Sequence, residues 1–515
     1  MRFVWAFLLL AVACASPAPP APVVGGTPRL VVVFIVDGLP ERQAVDYRDQ
    51  LSPDGLERFF TRGAWFTNAY YGYAHTVTGP GHATILTGAY PHRTGVISNE
   101  WIDRATGASV YCTAPGAQRA ETLGDVLRAK DPRSRVIAIS AKDRGAVLPA
   151  GKAGAAYYYD EKTGQMLSAA KEHPRWVDDF NAARPADKYI GAEWKPLLDD
   201  AAYSRSLPDE RKWYAKGGKL PKKMGEGHAE ILATPFSDDL LFSFARAALI
   251  GERLGRGPAP DLLVMSLSAH DYVNHAWGAE SRLSHDHVLQ LDRMIGEFFN
   301  DLDETVGRDD YVAVLTADHG FMPAPEYSQS LGRDAGRVNA AQVSARVNAA
   351  LAKTYGEGAW IGPWSASGVL VNHALAASKG VDEGALANEA RKLIAAEPGI
   401  AVAYTRAELE GGGPKDAPLF DMMQKSFDKD RSADIVVALK PYWMFGRPPG
   451  TTHGSPYDYD TNVPLLFYGP PWILPGRIDT RVEMDDVAPT LAKLLGIPAP
   501  SSSEGKLLPL ELTRR

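Results

Sequence analysis

The chain has 515 residues, 45% of them hydrophobic and 23% charged, with a formal net charge of −7. That composition is globular and excludes a disordered or fibrous chain. The mildly acidic balance gives no footing for nucleic-acid or anionic-membrane binding, which needs a basic surface, so no nucleic-acid partner is expected.

The first residues read as an export signal. Arg2 gives a positive start, Val4 to Ala13 form an apolar run too short to span a bilayer, and Ala13-Cys14-Ala15 fits a small-x-small cleavage site. Residues 1–15 are therefore expected to be a signal peptide and 16–28 a Pro/Ala-rich linker, with the mature chain periplasmic or secreted. Cys14 also fits a lipid-attachment position, but Ala11 stands where such sites usually carry Leu, so simple cleavage is favoured. No later segment has 18 uninterrupted apolar residues, and no transmembrane segment is expected in the mature chain. The other cysteine is Cys112, which leaves no disulfide and requires any metal site to use His, Asp and Glu. Nothing in the sequence specifies an oligomeric state.

Short β-branched runs predict buried strands at Leu30–Val36, 135–139, 262–267, 311–315, 434–439 and 464–468. Nearly continuous apolar runs suit a mostly parallel sheet covered on both faces. Helices are predicted between them: one opened by Ser52-Pro53-Asp54 as cap and N1 proline, then 239–254, 284–302 and 485–495. Alternating strands and helices define an α/β fold. The segments near 152–236 and 324–432 interrupt the alternation, and we read them as cap insertions on one catalytic domain spanning 29–515.

Acidic and histidine residues fall at the predicted strand ends. Asp37 follows the first strand, Asp271 and His275 follow 262–267, Asp318-His319-Gly320 follows 311–315, and His453 lies before 464–468. In an open α/β sheet ligands bind outside the carboxyl ends of the strands. Three Asp and three His there suit two zinc ions, and the donor set alone also accommodates manganese. Thr78, just before Pro80 as a helix N1 residue, is the nucleophile candidate; free N–H groups at that terminus attract phosphate, and the Gly79 amide is expected to hold it. A threonine hydroxyl is a poor nucleophile unless a metal or base activates it. His82, His92 and His270 lie near these motifs and read as supporting residues; Trp101, Tyr73 and Tyr457 are possible lining residues.

The motifs Val-Asp37-Gly, Thr78-Gly-Pro-Gly-His-Ala, Tyr-Pro-His-Arg-Thr-Gly95, Asn99-Glu-Trp, His-Asp271-Tyr-Val-Asn-His275, Ala-Asp318-His319-Gly and Thr-Thr-His453-Gly resemble the alkaline phosphatase superfamily. The closest resemblance is to its threonine-nucleophile, phosphate-irrepressible alkaline phosphatases, related to the nucleotide pyrophosphatase/phosphodiesterases. The resemblance implies that Asp37, Thr78, Asp318 and His319 hold the zinc beside the nucleophile, and that Asp271, His275 and His453 hold the zinc facing the leaving group. It also implies that Asn99 contacts a phosphoryl oxygen and that Lys142 and Arg144 match the Lys/Arg pair of the family's monoesterases.

That pair bears on the substrate. A monoester is a dianion with three free oxygens, and two cations reaching those oxygens favour it over a diester. The expectation is thus a two-zinc alkaline phosphatase that hydrolyses small phosphomonoesters of broad range through a phospho-threonine intermediate. A phosphodiesterase or nucleotide pyrophosphatase of the same superfamily is the alternative. The sulfatase relatives are disfavoured, because the Thr78-Gly-Pro-Gly-His frame offers no Cys or Ser nucleophile.

Overall fold

The computed structural model describes residues 26–366 and 368–511. The expected signal peptide and residues 16–25 of the linker lie outside the described residues.

Leu30–Val36 is apolar throughout and fully buried, so it can only be an interior strand. It lies near the middle of a nine-stranded sheet whose order is Gly476–Ile478, Ala64–Phe66, Leu465–Tyr468, Tyr311–Thr316, Leu30–Val36, Asp261–Leu267, Val136–Ser140, Ala155–Asp160, Gln165–Ser168. The five strands from Tyr311–Thr316 to Ala155–Asp160 run parallel. Leu465–Tyr468 joins antiparallel to Tyr311–Thr316, and the hairpin Ala155–Asp160/Gln165–Ser168 extends the other edge from within 152–236. Helices cover the sheet. Pro235–Gly251 and Arg282–Leu302 pack together on it, with Phe34 against Phe242, Phe298 and Phe299. Thr78–Thr87 and Asp143–Ala150 form a second packed group with Val136–Ser140. This is the α/β architecture expected from the sequence.

Register is what builds the site. Val36 pairs with Leu267, Ile35 with Thr316 and Ser140 with Ser266. The four central strands therefore end level, and the residues that follow them emerge on one rim.

Two expectations about elements are corrected. The run at 434–439 does form a strand, Ile435–Leu439, but it belongs to a separate antiparallel sheet with Ile361–Ser365, Gly368–Val371 and Ile400–Thr405. That sheet has its own apolar core, including Val369, Ile394 and Ile435, under helices Ala340–Tyr355 and Glu383–Ala395. The helix expected to open at Ser52-Pro53-Asp54 begins at Leu56. Asp292 from a distant helix accepts from the Ser52 and Leu56 amides, both at 2.7 Å, and so replaces the local cap.

Candidate active site

Thr78 is the first residue of helix Thr78–Thr87, with Val77 as N-cap, so the helix starts two residues earlier than Pro80 suggested. Proline is tolerated there because first-turn N–H groups have no intrahelical partner in any case. All ten residues of the helix are buried, Thr78 to 1% exposure. Gly81 allows the approach to the rim: a Cβ on it would lie 2.1 Å from the Asp318 carbonyl oxygen.

The loop after Leu30–Val36 carries Asp37 and is pinned by the Asp37 amide donating to Leu267 O at 3.1 Å. Gly38 follows with φ +72° and donates its amide to Asp318 Oδ1 at 3.1 Å. Asp271 and His275 sit one turn apart on helix Ala269–Trp277, with His275 Nε2 3.3 Å from Asp271 Oδ1. His453 Nε2 approaches the same oxygen at 3.6 Å. His319 Nε2 lies 3.4 Å from both Asp37 Oδ1 and Asp318 Oδ2, and its ring stacks on His453 with centroids 3.5 Å apart. The structure thus brings all six expected Asp and His side chains together beside Thr78.

The donor set fits metal. His275, His319 and His453 each donate Nδ1–H to a backbone carbonyl, of Thr451 at 2.8 Å, Gly320 at 2.8 Å and Thr76 at 2.9 Å. That fixes the tautomer and turns every Nε2 lone pair inward, as in histidines that ligate metals. Asp37 Oδ1, Asp271 Oδ1, Asp318 Oδ2 and His319 Nε2 are buried without a hydrogen-bond partner, a costly state unless a cation satisfies them. Two groups of ligand atoms gather within 4.8 Å: Asp37, Asp318 and His319, and Asp271, His319 and His453. His319 belongs to both, while His275, expected in the second, stands at its margin with its side chain 38% exposed.

The pocket draws positive charge. Burial alone would raise the Asp37 carboxyl, yet the positive charge of Lys142, with His319 close by, holds it well below the ordinary range. Burial would lower His319, but Asp318, Asp37 and Asp271 push it up to about 9. Lys142, the N-cap of helix Asp143–Ala150, is 4% exposed and bridges the two carboxylates, with Nζ 2.7 Å from Asp37 Oδ2 and also hydrogen-bonded to Asp271. Asp271 and Asp37 outweigh desolvation and raise Lys142 above its usual value. Arg144 donates to Tyr111 OH at 3.1 Å, and Tyr111 in turn donates to Asp143 at 2.7 Å.

Asn99 lies beside the nucleophile candidate, but in an arrangement that changes one expectation. The Gly79 amide donates to Asn99 Oδ1 at 2.7 Å. It is spent on orienting Asn99 rather than directed at a phosphoryl oxygen, and the Asn99 carboxamide N–H group is thereby left as the donor on that side.

Sequence reasoning gave His82 no more than a supporting role and missed Tyr111 and Tyr272. His82 holds three parts of the site: its ring nitrogens meet Thr78 O at 2.9 Å, Asp318 Oδ2 at 3.2 Å and Ser266 Oγ at 2.8 Å. Its place four residues after Thr78 was the available signal. Tyr272, next to Asp271 in sequence, puts its ring 4.7 Å from Lys142 Nζ. Tyr111 carried no signal, because its hairpin with Glu100–Ile102 is set only in three dimensions. His270 bonds to Gln43 and His287, and His92 to Lys425 O, both outside the ligand cluster. Tyr457 donates to Leu439 O, Tyr73 packs on Tyr71 and Tyr90, and Trp101 lies under Arg431.

Level strand ends gathering these Asp and His side chains beside a helix-terminal threonine agree with the resemblance of their motifs to the alkaline phosphatase superfamily. The family model described as type I phosphodiesterase / nucleotide pyrophosphatase matches residues 31–462, and the chain belongs to that family. It is 32% identical to a protein of Myroides odoratus named calcium-transporting ATPase, over 93% of each chain. It is 30% identical to alkaline phosphatase PhoV of Synechococcus elongatus, over 93% of this chain and 92% of that one. The crystal structure of alkaline phosphatase PafA superposes with a TM-score of 0.87 at 28% identity, over 94% of this chain and 99% of that one. A PafA variant structure with the same score carries substitutions of a Thr, an Asn, a Lys and an Arg, at the sequence spacings of Thr78 to Asn99 and Lys142 to Arg144. No helix among the described residues is long and apolar enough to cross a membrane.

Proposed function

We propose that this chain is an exported alkaline phosphatase: a two-zinc phosphate monoester hydrolase with Thr78 as nucleophile. The observation that carries the reading is the cluster of three carboxylates and three imidazoles beside Thr78, buried except at His275, with Lys142 against two of those carboxylates.

Asp37, Thr78, Asp318 and His319 would hold one zinc, and Asp271, His275 and His453 the other. Bound there, the two ions would supply Lewis acidity that lowers the pKa of the Thr78 hydroxyl and steadies the departing oxygen. The remaining steps belong to the chain. Thr78 Oγ1 bonds to phosphorus as the bond to the leaving alcohol breaks, giving a phospho-threonine. Water then attacks phosphorus, releasing inorganic phosphate and restoring the hydroxyl. The Asn99 carboxamide donates to one equatorial oxygen, and Lys142 and Arg144 balance the charge on the others. Helix Thr78–Thr87 adds its N-terminal dipole on the same side. His82 keeps Thr78 and Asp318 in register.

The second reading, a phosphodiesterase or nucleotide pyrophosphatase, is favoured by the description of the matching family model. Purified protein assayed on p-nitrophenyl phosphate and bis-p-nitrophenyl phosphate, with metal analysis, separates the two. The proposal expects two zinc per chain and faster turnover of the monoester; preference for the diester would replace it with the second reading. Secretion of the full-length chain with loss of its first 15 residues, read by N-terminal sequencing, tests the export expectation.

A further inference from the structure

A cavity of about 290 Å³ lies between the active-site rim and the smaller antiparallel sheet. Its rim wall includes His75, Ile97, Met322 and His453. His453 is one of the expected ligands, Ile97 precedes Asn99 by two residues, and Met322 follows His319 by three. The cavity therefore shares a wall with the site. Its volume is at the low end of the range, roughly 300–1,000 Å³, in which small ligands are held.

The opposite wall is apolar, with Val436 and Ala438 from one strand and Trp443, Met444 and Phe445 from another. Met322, Met423 and Met444 all line the space, and flexible thioethers adapt to irregular apolar groups. The hydroxyls of Ser426 and Ser432 are spent on the protein itself, while Ser455 Oγ and Asp460 Oδ1, toward the rim, are buried without a partner. Ser426 Oγ accepts from Ala74 N at 2.8 Å and donates to Met422 O at 3.1 Å, and Ser432 Oγ accepts from Asp428 N at 2.9 Å. Asp460 accepts from the Gly454 and Ser455 amides at 3.0 and 2.8 Å. Among the described residues no Lys or Arg lines the cavity. The site's cations, Lys142 and Arg144, stand instead after the strand Val136–Ser140. One end of the combined space carries the cations that a phosphate dianion needs; the other is mainly apolar, holds the Asp460 carboxyl and offers no cation to a second anionic group.

We propose that this cavity receives the apolar part of the substrate alcohol or phenol, so that the enzyme selects monoesters with an alkyl or single-ring aryl group over those bearing a second anionic group. The inference rests on the monoesterase reading above and narrows its substrate class.

The test is the series of n-alkyl phosphates from methyl to octyl, in which leaving-group acidity is nearly constant beyond ethyl. The expected result is a rise in kcat/KM of about two- to fourfold per methylene that levels off once the cavity is filled. 3-Carboxypropyl phosphate should be turned over at least tenfold more slowly than butyl phosphate. A flat series, or equal rates for these two esters, overturns the proposal. Ala438→Phe, which fills the space from the smaller sheet, should leave methyl phosphate hydrolysis unchanged and abolish the gain with chain length; a retained gain counts against the cavity. Should that variant not fold, calorimetric binding of n-alkylphosphonates to the unaltered zinc-loaded protein gives the same answer, with affinity rising along the series if the cavity is used and constant if it is not. Failure to hydrolyse any monoester, methyl phosphate included, would strike the monoesterase reading instead, while the phosphonate series would still report on the cavity.

Discussion

The two main sheets of this molecule use the same kinds of residue to different ends. The central sheet is parallel over five adjacent strands, and its register ends four of them level, so Asp37, Lys142, Asp271 and Asp318 leave on one rim. The smaller sheet is antiparallel throughout. Its surrounding charges are taken up in ion pairs, as in Arg346 with Glu397 and Arg104 with Asp434. It turns Val436 and Ala438 toward the rim rather than any acid or base. Parallel strands gather functional groups at one end because every strand finishes there; antiparallel strands alternate direction and cannot. Under the proposals above, bond-making belongs to the central sheet and selection to the smaller one.

The sharpest way to break that division is Thr78→Ala. Turnover should fall by about 10⁴-fold or more, and acid quenching should trap no phosphorylated protein. Near-normal turnover would place the chemistry elsewhere. Next in size is the double variant Lys142→Ala, Arg144→Ala. Each cation sits at the rim, so monoester hydrolysis should drop by about 10²- to 10³-fold, while diester hydrolysis drops much less. Equal losses on both substrates would remove the argument that these cations read the dianion.

How much of this was legible in the sequence follows the same division. Leu30–Val36 was bounded to the residue because an unbroken apolar run has one solution in an α/β protein, an interior strand. The clustering of the Asp and His residues at the rim was legible because most lie within a few residues of such a run. Ile435–Leu439 was legible as a strand but not as a member of the second sheet, since its five buried residues have the same pattern as a central strand. What escaped depended on distant partners. Asp292 capped the helix that Ser52 and Asp54 were expected to start. Asn99 took the Gly79 amide that was expected to face phosphate. Nothing local in sequence encodes either bond.

Paired core truncations separate the sheets by stability. Phe34→Ala removes a ring packed on Phe242, Phe298 and Phe299 at the centre of the larger core. It should cost about 3–5 kcal/mol and reduce the active fraction. Ile394→Ala, fully buried under the smaller sheet, should cost about 2–5 kcal/mol yet change kcat/KM for methyl phosphate less than about twofold. Hydrogen exchange should then rise in Ile400–Thr405 and not in Leu30–Val36. Matching loss of methyl phosphate turnover in both variants would show that the smaller sheet holds up the chemistry as well as the selection.

The smallest expected effect concerns pH, and its sign depends on which buried groups dominate. Burial, the largest cause in each case, raises Glu41 and Asp485 to about 7 and Asp261 to about 6, all on elements of the larger core. A folded pKa above the unfolded one means that the folded state binds more protons. The stability each group contributes is complete below about pH 4 and is lost as pH rises through the folded value. His75 and His285, lowered by burial to about 4, act in the opposite direction, adding stability as pH rises from about 4 to 6.5. The whole-protein slope is a difference of these, so a single-site variant is the cleaner readout. Asp485 accepts a hydrogen bond from Tyr90 OH at 2.8 Å, and Asp485→Asn keeps an acceptor there while removing the titration. Measured by denaturant unfolding in chelator, to keep metal uptake out of the comparison, the variant should gain on the parent between pH 4 and 7. The gain should be on the order of 1 kcal/mol and should level off above that range. Exchange protection should shift in the adjoining helix Val487–Leu495 and not in Ile435–Leu439; a gain that appears equally in both would mean that the two sheets unfold as one unit.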